Sequence, residues 1–331
     1  MKLSGTKVAS VVKDICKART DVLKKFYKTP KLAIIQVGEN PASNIYVKNK
    51  IKDCIEVGIE VNTYIFEDTH GDELQIGRIK HLIRELNYDK TVDGIMCQLP
   101  MEGIDPLRQR EILNLITAEK DVDGLRSDVF TAINTPSNDD RFIPCTPHGV
   151  LMLLNAYHFN VLLKGMKTTI VGRSNLVTKP LAQLLINEGA MVTVAHSECD
   201  RRDVINAMRG SQLIISGVGK PHIWDIPECV NVANQPILID IGTSKGDNGK
   251  LVGDFCGIEL INHPELIHYT PVPGGVGPMT RAALLLHVVD ACEQRLTNKE
   301  DPSCHTLEII EPSLKSAYKR LMRQSKVSGK N

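Results

Sequence analysis

The sequence is short of nearly every feature that would assign it to a special class. Lysine and arginine total 40 against 39 aspartates and glutamates, a formal charge of +1, so no field of one sign spans the molecule to recruit nucleic acid or anionic lipid. No apolar run approaches the roughly 18 residues that a membrane helix needs. Neither a nucleic-acid nor a membrane partner is expected. The nine cysteines contain no C-x-x-C pair. An odd, unpatterned set of this kind argues against a disulfide frame or a zinc site, so no metal is expected and the thiols suit a reducing, cytoplasmic compartment. No repeat of fixed period and no low-complexity tract is present.

What is there is 331 residues, 42% hydrophobic and 24% charged, ordinary values for a folded protein and enough chain for two domains. The first 31 residues hold nine lysines and arginines against only Asp14 and Asp21, an excess also seen in transit peptides. Val8, Val11, Val12, Ile15, Leu23 and Phe26 nevertheless recur at helical spacing, which predicts a structural first helix rather than a cleaved segment.

Strand-like runs then alternate with helical patterns: residues 32–37, a helix to Val57, Ile59 to Phe66, a helix over 72–87, and 94–99. Such alternation predicts βαβ units on a parallel sheet. A polar stretch over 134–140 interrupts it and marks an expected hinge, and Pro144-Cys145-Thr146-Pro147 leads into an apolar helix from His148 to about Tyr157. The alternation restarts with strands at 168–172, 191–196, 212–217 and 237–241, a second doubly wound domain. A Gly/Pro-rich segment over 270–278 precedes an apolar helix, Met279 to about Cys292, where the chain is expected to cross back. Residues 312–331 carry six basic residues and no acid, which reads as a solvated tail helix or a partner-binding segment. The expected fold is therefore α/β, two doubly wound domains of which the second is Rossmann-like. The expected boundaries are 1–147, completed by the returning helix 279–296, then 148–278, then a basic tail over 297–331.

Chemistry-bearing residues collect where these strands end. Asn40-Pro41 has the signature of a helix start, and on that helix Ser43, Tyr46 and Lys50 share one face. Alone, Tyr-x-x-x-Lys is ordinary surface decoration. Gln98 and Pro100 close the third strand, and Lys120-Asp121-Val122-Asp123-Gly124 follows, so polar groups gather at the carboxyl ends of strands, where open α/β sheets bind ligands. The two aspartates suit either an Asx turn or a divalent-cation site. In the second domain a strand runs into Gly172-Arg173-Ser174, a single glycine turn before a helix whose free amides can meet phosphate. Gly217, in Ser216-Gly217-Val218-Gly219, offers a second backbone approach. The next strand ends at His196-Ser197, where NAD-selective Rossmann proteins place a carboxylate for the ribose 2′-hydroxyl. Ser197 with Arg173 suits a 2′-phosphate and so favours NADP, while Glu198, expected to point outward, keeps NAD as the alternative. His196 reads as structural.

Together, Ala42-Ser43-Asn44-Ile45-Tyr46-Val47-Lys48-Asn49-Lys50-Ile51-Lys52, Gln98-Leu99-Pro100, Lys120-Asp121-Val122-Asp123-Gly124, Pro144-Cys145-Thr146-Pro147, Gly172-Arg173-Ser174 and the run from Thr270 to Thr280 resemble the bifunctional methylenetetrahydrofolate dehydrogenase/methenyltetrahydrofolate cyclohydrolase family, over about Leu3 to Leu296. The resemblance implies that Lys50 is the catalytic lysine with Gln98 beside it, that Tyr46 lines the folate pocket and Asp123 holds the pterin, and that Pro271, Gly274 and Gly275 border the substrate. It implies a nicotinamide cofactor, NADP before NAD, on Gly172, Arg173, Ser174, Ser197, Gly217 and Thr243. It further implies tetrahydrofolate derivatives as substrates, a cleft between two domains, and commonly a homodimer. The chain departs from the family pattern at Met101-Glu102, where Leu-Pro is expected, at Thr178 in place of a glycine, at Thr243-Ser244 in place of Ile-Asn, and at Arg126 in place of a histidine.

These residue types suit the implied reaction. Removing a hydride from the methylene bridge leaves a methenyl cation shared by two folate nitrogens, a step that needs alignment more than a base. Hydrolysis then needs water to add to that cation and lose a proton. A neutral amine can take that proton, and the cation itself disfavours the ammonium form of a nearby lysine.

Overall fold

Two parallel sheets organise the chain, which the computed structural model describes over residues 1–68, 72–134, 141–260 and 264–297. The predicted basic tail helix and residues 135–140 of the polar stretch lie outside the described residues. The chain divides into two compact units. One takes residues 10–68, 72–132, 141–143 and 284–297 of the described chain; the other takes 1–9, 133–134, 144–260 and 264–283.

In the first unit α1 (Gly5–Phe26) leads to β1 (Lys31–Val37), α2 (Pro41–Val57), β2 (Glu60–Phe66), α3 (Glu73–Tyr88) and β3 (Gly94–Cys97). The strands are parallel in the order β2-β1-β3, with Leu32 opposite Val61 on one side and Gly94 on the other. Every residue of β1 from Leu32 to Val37 is buried, as expected of a central strand covered on both faces. Asp72 caps α3 by accepting from the Leu74 amide, and Ile76, Ile79, Ile83 and Leu86 recur along its buried face at helical spacing. The short α4 (Pro106–Leu113) starts with Asp105 as cap and proline in its first turn. A 3₁₀ turn at Ala118–Lys120 and α5 (Val129–Asn134) follow. Because the chain steps from β1 to β2 on one side and returns to β3 on the other, the point of reversal lies between the ends of β1 and β3, where the residues after each strand can flank a ligand.

The second unit repeats this plan. α6 (Cys145–Ala156), β4 (Lys167–Val171), α7 (Thr178–Asn187), β5 (Met191–Ala195), α8 (Arg201–Arg209) and β6 (Leu213–Ser216) are followed by β7 (Trp224–Asp225), α9 (Ile226–Cys229), β8 (Ile237–Asp240), β9 (Ser244–Lys245), β10 (Leu251–Val252), β11 (Phe255–Cys256) and β12 (His268–Tyr269). The main sheet runs β12-β8-β6-β4-β5, all parallel, with its reversal between β4 and β6. The N-terminal residues join its edge: Leu3 donates to the Tyr269 carbonyl at 2.7 Å and Tyr269 to the Met1 carbonyl at 3.0 Å.

Two helices start earlier than the sequence pattern predicts. α6 begins at Cys145 rather than His148, and the last helix, α10 (Val276–Thr297), begins at Val276 rather than Met279. In each case a proline, Pro147 or Pro278, falls in the first turn, where the missing amide hydrogen has no helical partner to lose. α10 also runs past Cys292. From residue 284 onward it belongs to the first unit, burying Leu284, Leu285, Val288, Val289 and Cys292. There Arg19 of α1 forms a two-pronged pair with Glu293, at 3.0 and 2.6 Å, and reaches Asp290 at 2.5 Å. α1 is thus part of the folded core, as its spacing predicts. Among the described residues no helix is long and apolar enough to cross a membrane.

Candidate active site

Lys50 projects from the middle of α2 toward the residues that follow β3. Its Nζ donates to Oε1 of Gln98 at 3.3 Å, lies 3.7 Å from Sδ of Met96 and 3.8 Å from Oδ2 of Asp123. The Lys50 and Asp123 side chains are 11% and 15% exposed, shielded yet open to a ligand. Gln98 is oriented twice over, its backbone amide donating to the Ile35 carbonyl at 2.8 Å and its Nε2 to the Leu99 carbonyl at 2.7 Å. That leaves Oε1 facing the amine. Tyr46, one turn before Lys50, is 40% exposed, whereas Ser43 of the same predicted face is buried. The ion pair with Asp123 and the sulfur of the fully buried Met96 are unanticipated members of this cluster. Met96 is an interior strand residue with no sequence signal to set it apart.

The loop carrying Asp123 is clamped from behind. Gly124 has φ +69°, and a Cβ there would come within 2.5 Å of the Ile143 backbone, so only glycine lets the chain turn at this point. Lys120 is buried and donates to the Leu86 and Asp89 carbonyls at 2.6 and 2.7 Å; burial lowers its pKa to about 8. Asp121 is buried too and accepts the Arg126 amide at 2.9 Å, with burial raising its carboxyl to about 7. The two aspartates therefore serve different partners, which favours the turn over a cation site. His287 of α10 donates from Nδ1 to the Val122 carbonyl at 2.8 Å and lies beside the Phe142 ring at 4.9 Å between centroids. Burial pushes its pKa down to about 4, so the imidazole is neutral. Among the described residues no group of three or more His, Cys, Asp or Glu side chains is placed to hold a metal.

In the second unit the ends of β4 and β6 meet at backbone distance. Gly172 has φ +137°, and a Cβ on it would lie 2.9 Å from the Gly217 carbonyl oxygen and 2.8 Å from Cγ2 of Thr178. Arg173 and Ser174 follow, Ser174 accepting the Leu176 amide at 3.3 Å. Glu198, though exposed, bends back toward Arg173 and Ser197 rather than away from them. Its Oε1 accepts from Nη2 of Arg173 at 3.2 Å and from the Ser197 hydroxyl at 3.4 Å, and its amide donates to Nδ1 of His196 at 3.3 Å. That amide bond turns the tip of the loop and sends the side chain back. Arg173 and Ser197 thus converge on a single anionic oxygen, a donor pair that fits a phosphate monoester.

The comparisons with known proteins agree on one family. Residues 3–123 match the catalytic-domain model of tetrahydrofolate dehydrogenase/cyclohydrolase and residues 144–296 match that family's NAD(P)-binding-domain model. The chain belongs to the tetrahydrofolate dehydrogenase/cyclohydrolase family. A relative named bifunctional protein FolD from Campylobacter concisus is 39% identical over 299 residues, covering 89% of this chain and 98% of the relative. The crystal structure of the FolD methylenetetrahydrofolate dehydrogenase/cyclohydrolase from Campylobacter jejuni is similar at TM-score 0.80 and 35% identity, over 89% of this chain and 99% of that one. A Trypanosoma brucei FolD complexed with NADP and an inhibitor is similar at TM-score 0.79 and 25% identity, over 89% and 98%.

Against the tetrahydrofolate dehydrogenase/cyclohydrolase pattern, most of the departures have a structural partner. Met101 is buried in the core of the first unit, and the Glu102 carboxylate accepts the Glu39 amide at 3.0 Å. Arg126 is held by Asp128 through two bonds of 3.0 Å and by the carbonyls of Asn114, at 2.8 Å, and Ile116. It is a strut of the loop. Thr178 is fully buried and donates to the Ser174 carbonyl at 3.3 Å. Thr243 is exposed, and Ser244 enters the β9–β10 pair. Pro271, Gly274 and Gly275 belong to the second unit, where the Gly274 carbonyl accepts the Thr6 amide at 3.1 Å.

One residue with no prior signal stands out in this unit. Asp254 is fully buried, and its Oδ2 accepts from the Ser216 hydroxyl at 2.6 Å and the Val218 amide at 2.8 Å, while Oδ1 accepts the amides of Gly219 and Lys220 at 3.0 Å each. Its own amide is held at 3.1 Å by Asp240, whose carboxyl burial raises to about 7. Asp254 therefore shapes the loop after β6 that carries Gly217.

Proposed function

We infer that this chain oxidises 5,10-methylenetetrahydrofolate to 5,10-methenyltetrahydrofolate with NADP and hydrolyses the product to 10-formyltetrahydrofolate, with Lys50 as the group that handles the proton of the second step. The observation that carries this reading is the Lys50 amine, held by Gln98 and Asp123 at the sheet reversal of a family member. NADP, when bound, supplies the hydride acceptor; Gly172, Arg173, Ser174, Ser197 and Gly217 are the residues that would hold it, with Thr243 at its rim.

In the hydrolytic step a water oxygen bonds to the methenyl carbon and one of its protons leaves; the bond from that carbon to N5 then breaks as the remaining hydroxyl proton passes to N5, leaving the formyl group on N10. Lys50 orients the water and takes the proton when its amine is neutral. Gln98 supports the amine through a neutral acceptor, its Oε1. Asp123 would accept two pterin N–H donors and so hold the substrate beside the Lys50 amine that it already pairs with at 3.8 Å. Tyr46 flanks the folate, and the family motif at Pro271, Gly274 and Gly275 supports a substrate-binding role for these three residues. Homodimer assembly and a cytoplasmic location complete the reading, the latter supported by cysteines that are free throughout the described residues.

A coupled assay that follows NADPH formation and methenyl-folate absorbance together tests the proposal. Both signals should rise, with the methenyl species passing on to formyl product. Accumulation of methenyl-folate without enzymatic decay would reduce the chain to a dehydrogenase, and silence in both channels would leave it a folate-binding protein.

A further inference from the structure

The charge arrangement at the end of β5 points to a second determinant of cofactor choice. Arg173 and Ser197 reach the same oxygen of Glu198, and the His196 imidazole fixes the loop tip that aims the carboxylate there. A 2′-phosphate carries between one and two negative charges near neutral pH, so it competes with this carboxylate for both donors and is repelled by it if the carboxylate stays. A ribose 2′-hydroxyl meets the opposite situation. A carboxylate is an acceptor only, and accepting the 2′-hydroxyl is the part that acidic residues near this strand end play in NAD-selective folds.

We propose that Glu198 is a specificity-determining residue of the dinucleotide site, an internal counter-anion for Arg173 and Ser197 that narrows the preference for NADP over NAD. The proposal deepens the NADP reading above and rests on it. The Arg173 and Glu198 side chains are 56% and 68% exposed, and an exposed ion pair of this kind contributes little to folding. Removing the carboxylate therefore leaves the fold intact and shows its effect on the ligand.

The test is calorimetric titration of the full chain at low salt with adenosine 2′,5′-bisphosphate and with adenosine 5′-monophosphate, for wild type, Glu198→Gln, Arg173→Ala and the double variant. Glu198→Gln should raise the affinity ratio of bisphosphate to monophosphate by roughly tenfold, the factor that corresponds to about 1.4 kcal/mol. The gain should shrink in the Arg173→Ala background, where only the competition at Ser197 and the direct repulsion remain. Glu198→Ala serves as a second variant, and thermal melting checks that each protein is folded. An unchanged ratio in both folded Glu198 variants, or a gain that persists in full without Arg173, would overturn the proposal. The coupled assay separates this failure from that of the underlying reading: a wild type that reduces NADP while the ratio stays fixed retains the function and loses only the role of Glu198.

Discussion

Nδ1 of His287 lies 2.8 Å from the carbonyl oxygen of Val122, the residue before Asp123, so the last helix fastens the loop on which the proposed pterin anchor sits. The bond requires the imidazole to carry its proton on Nδ1, and burial keeps the second proton off down to a pH of about 4.

This couples stability to pH. The unfolded chain takes up a proton on His287 near pH 6.5, whereas the folded chain refuses it until about 4, so its contribution is complete above 6.5 and is lost as pH falls through that window. Asp121 and Asp240, with carboxyls raised to about 7, act in the opposite sense, losing stability as pH rises from about 4, but they are common to both proteins in a comparison with His287→Gln. Denaturant titrations should show the wild-type advantage over His287→Gln shrinking by about 2 kcal/mol between pH ~6.5 and ~5. A constant advantage across that range would mean that the imidazole titrates alike in both states.

Lys50→Met keeps an apolar stem and removes the amine. Cyclohydrolase turnover should fall by about 100-fold or more, while hydride transfer to NADP persists and folate binding stays measurable by fluorescence. Near-normal hydrolysis in this variant would take Lys50 out of the reaction.

Asp123→Asn leaves an amide that accepts on one side only, where a carboxylate accepts from two pterin N–H groups. The folate dissociation constant should rise by roughly 10- to 100-fold, the equivalent of one charge-assisted contact, with the NADP constant unchanged. A variant whose NADP constant alone moved would place Asp123 in the other site.

Asp254→Asn turns an amide nitrogen toward backbone amides or the Ser216 hydroxyl, which must then lose their acceptor. The second unit should lose about 3 kcal/mol of stability and bind NADP more weakly, while folate affinity stays near that of the wild type. Equal losses at both ligands would instead indicate global unfolding, which calorimetry resolves.

The periodic parts of the fold were legible because each apolar pattern implies one element. β1, α3 and the strands β4, β5, β6 and β8 fall within a residue or two of their predicted positions. The starts of α6 and α10 were not, since Pro147 and Pro278 look like breakers until they fall in a first turn. Nor was the edge pairing of Leu3 with Tyr269, a short contact across most of the chain with no pattern of its own. Within the site, Lys50, Gln98 and Asp123 could be named from their motifs, but their distances could not: 48 residues separate Lys50 from Gln98, and the approach of Asp123 depends on the turn at Gly124. Glu198 was misjudged for a local reason. Counting residues past the strand end says nothing of the amide bond to His196 that reverses the side chain.

The methyl group of Thr178 occupies a small recess shared with Gly172 and Gly217, since a Cβ on either glycine would lie 2.8 or 2.9 Å from it. Three positions, two on one turn and the third some forty residues on, thus divide one space, and their histories are bound together. Alanine at 217 should be tolerated once residue 178 loses its methyl, as in Thr178→Ser, and should be harmful before; at 172 the positive φ closes that route altogether. The order in which such changes arise, and not only their sum, decides which sequences this turn can reach.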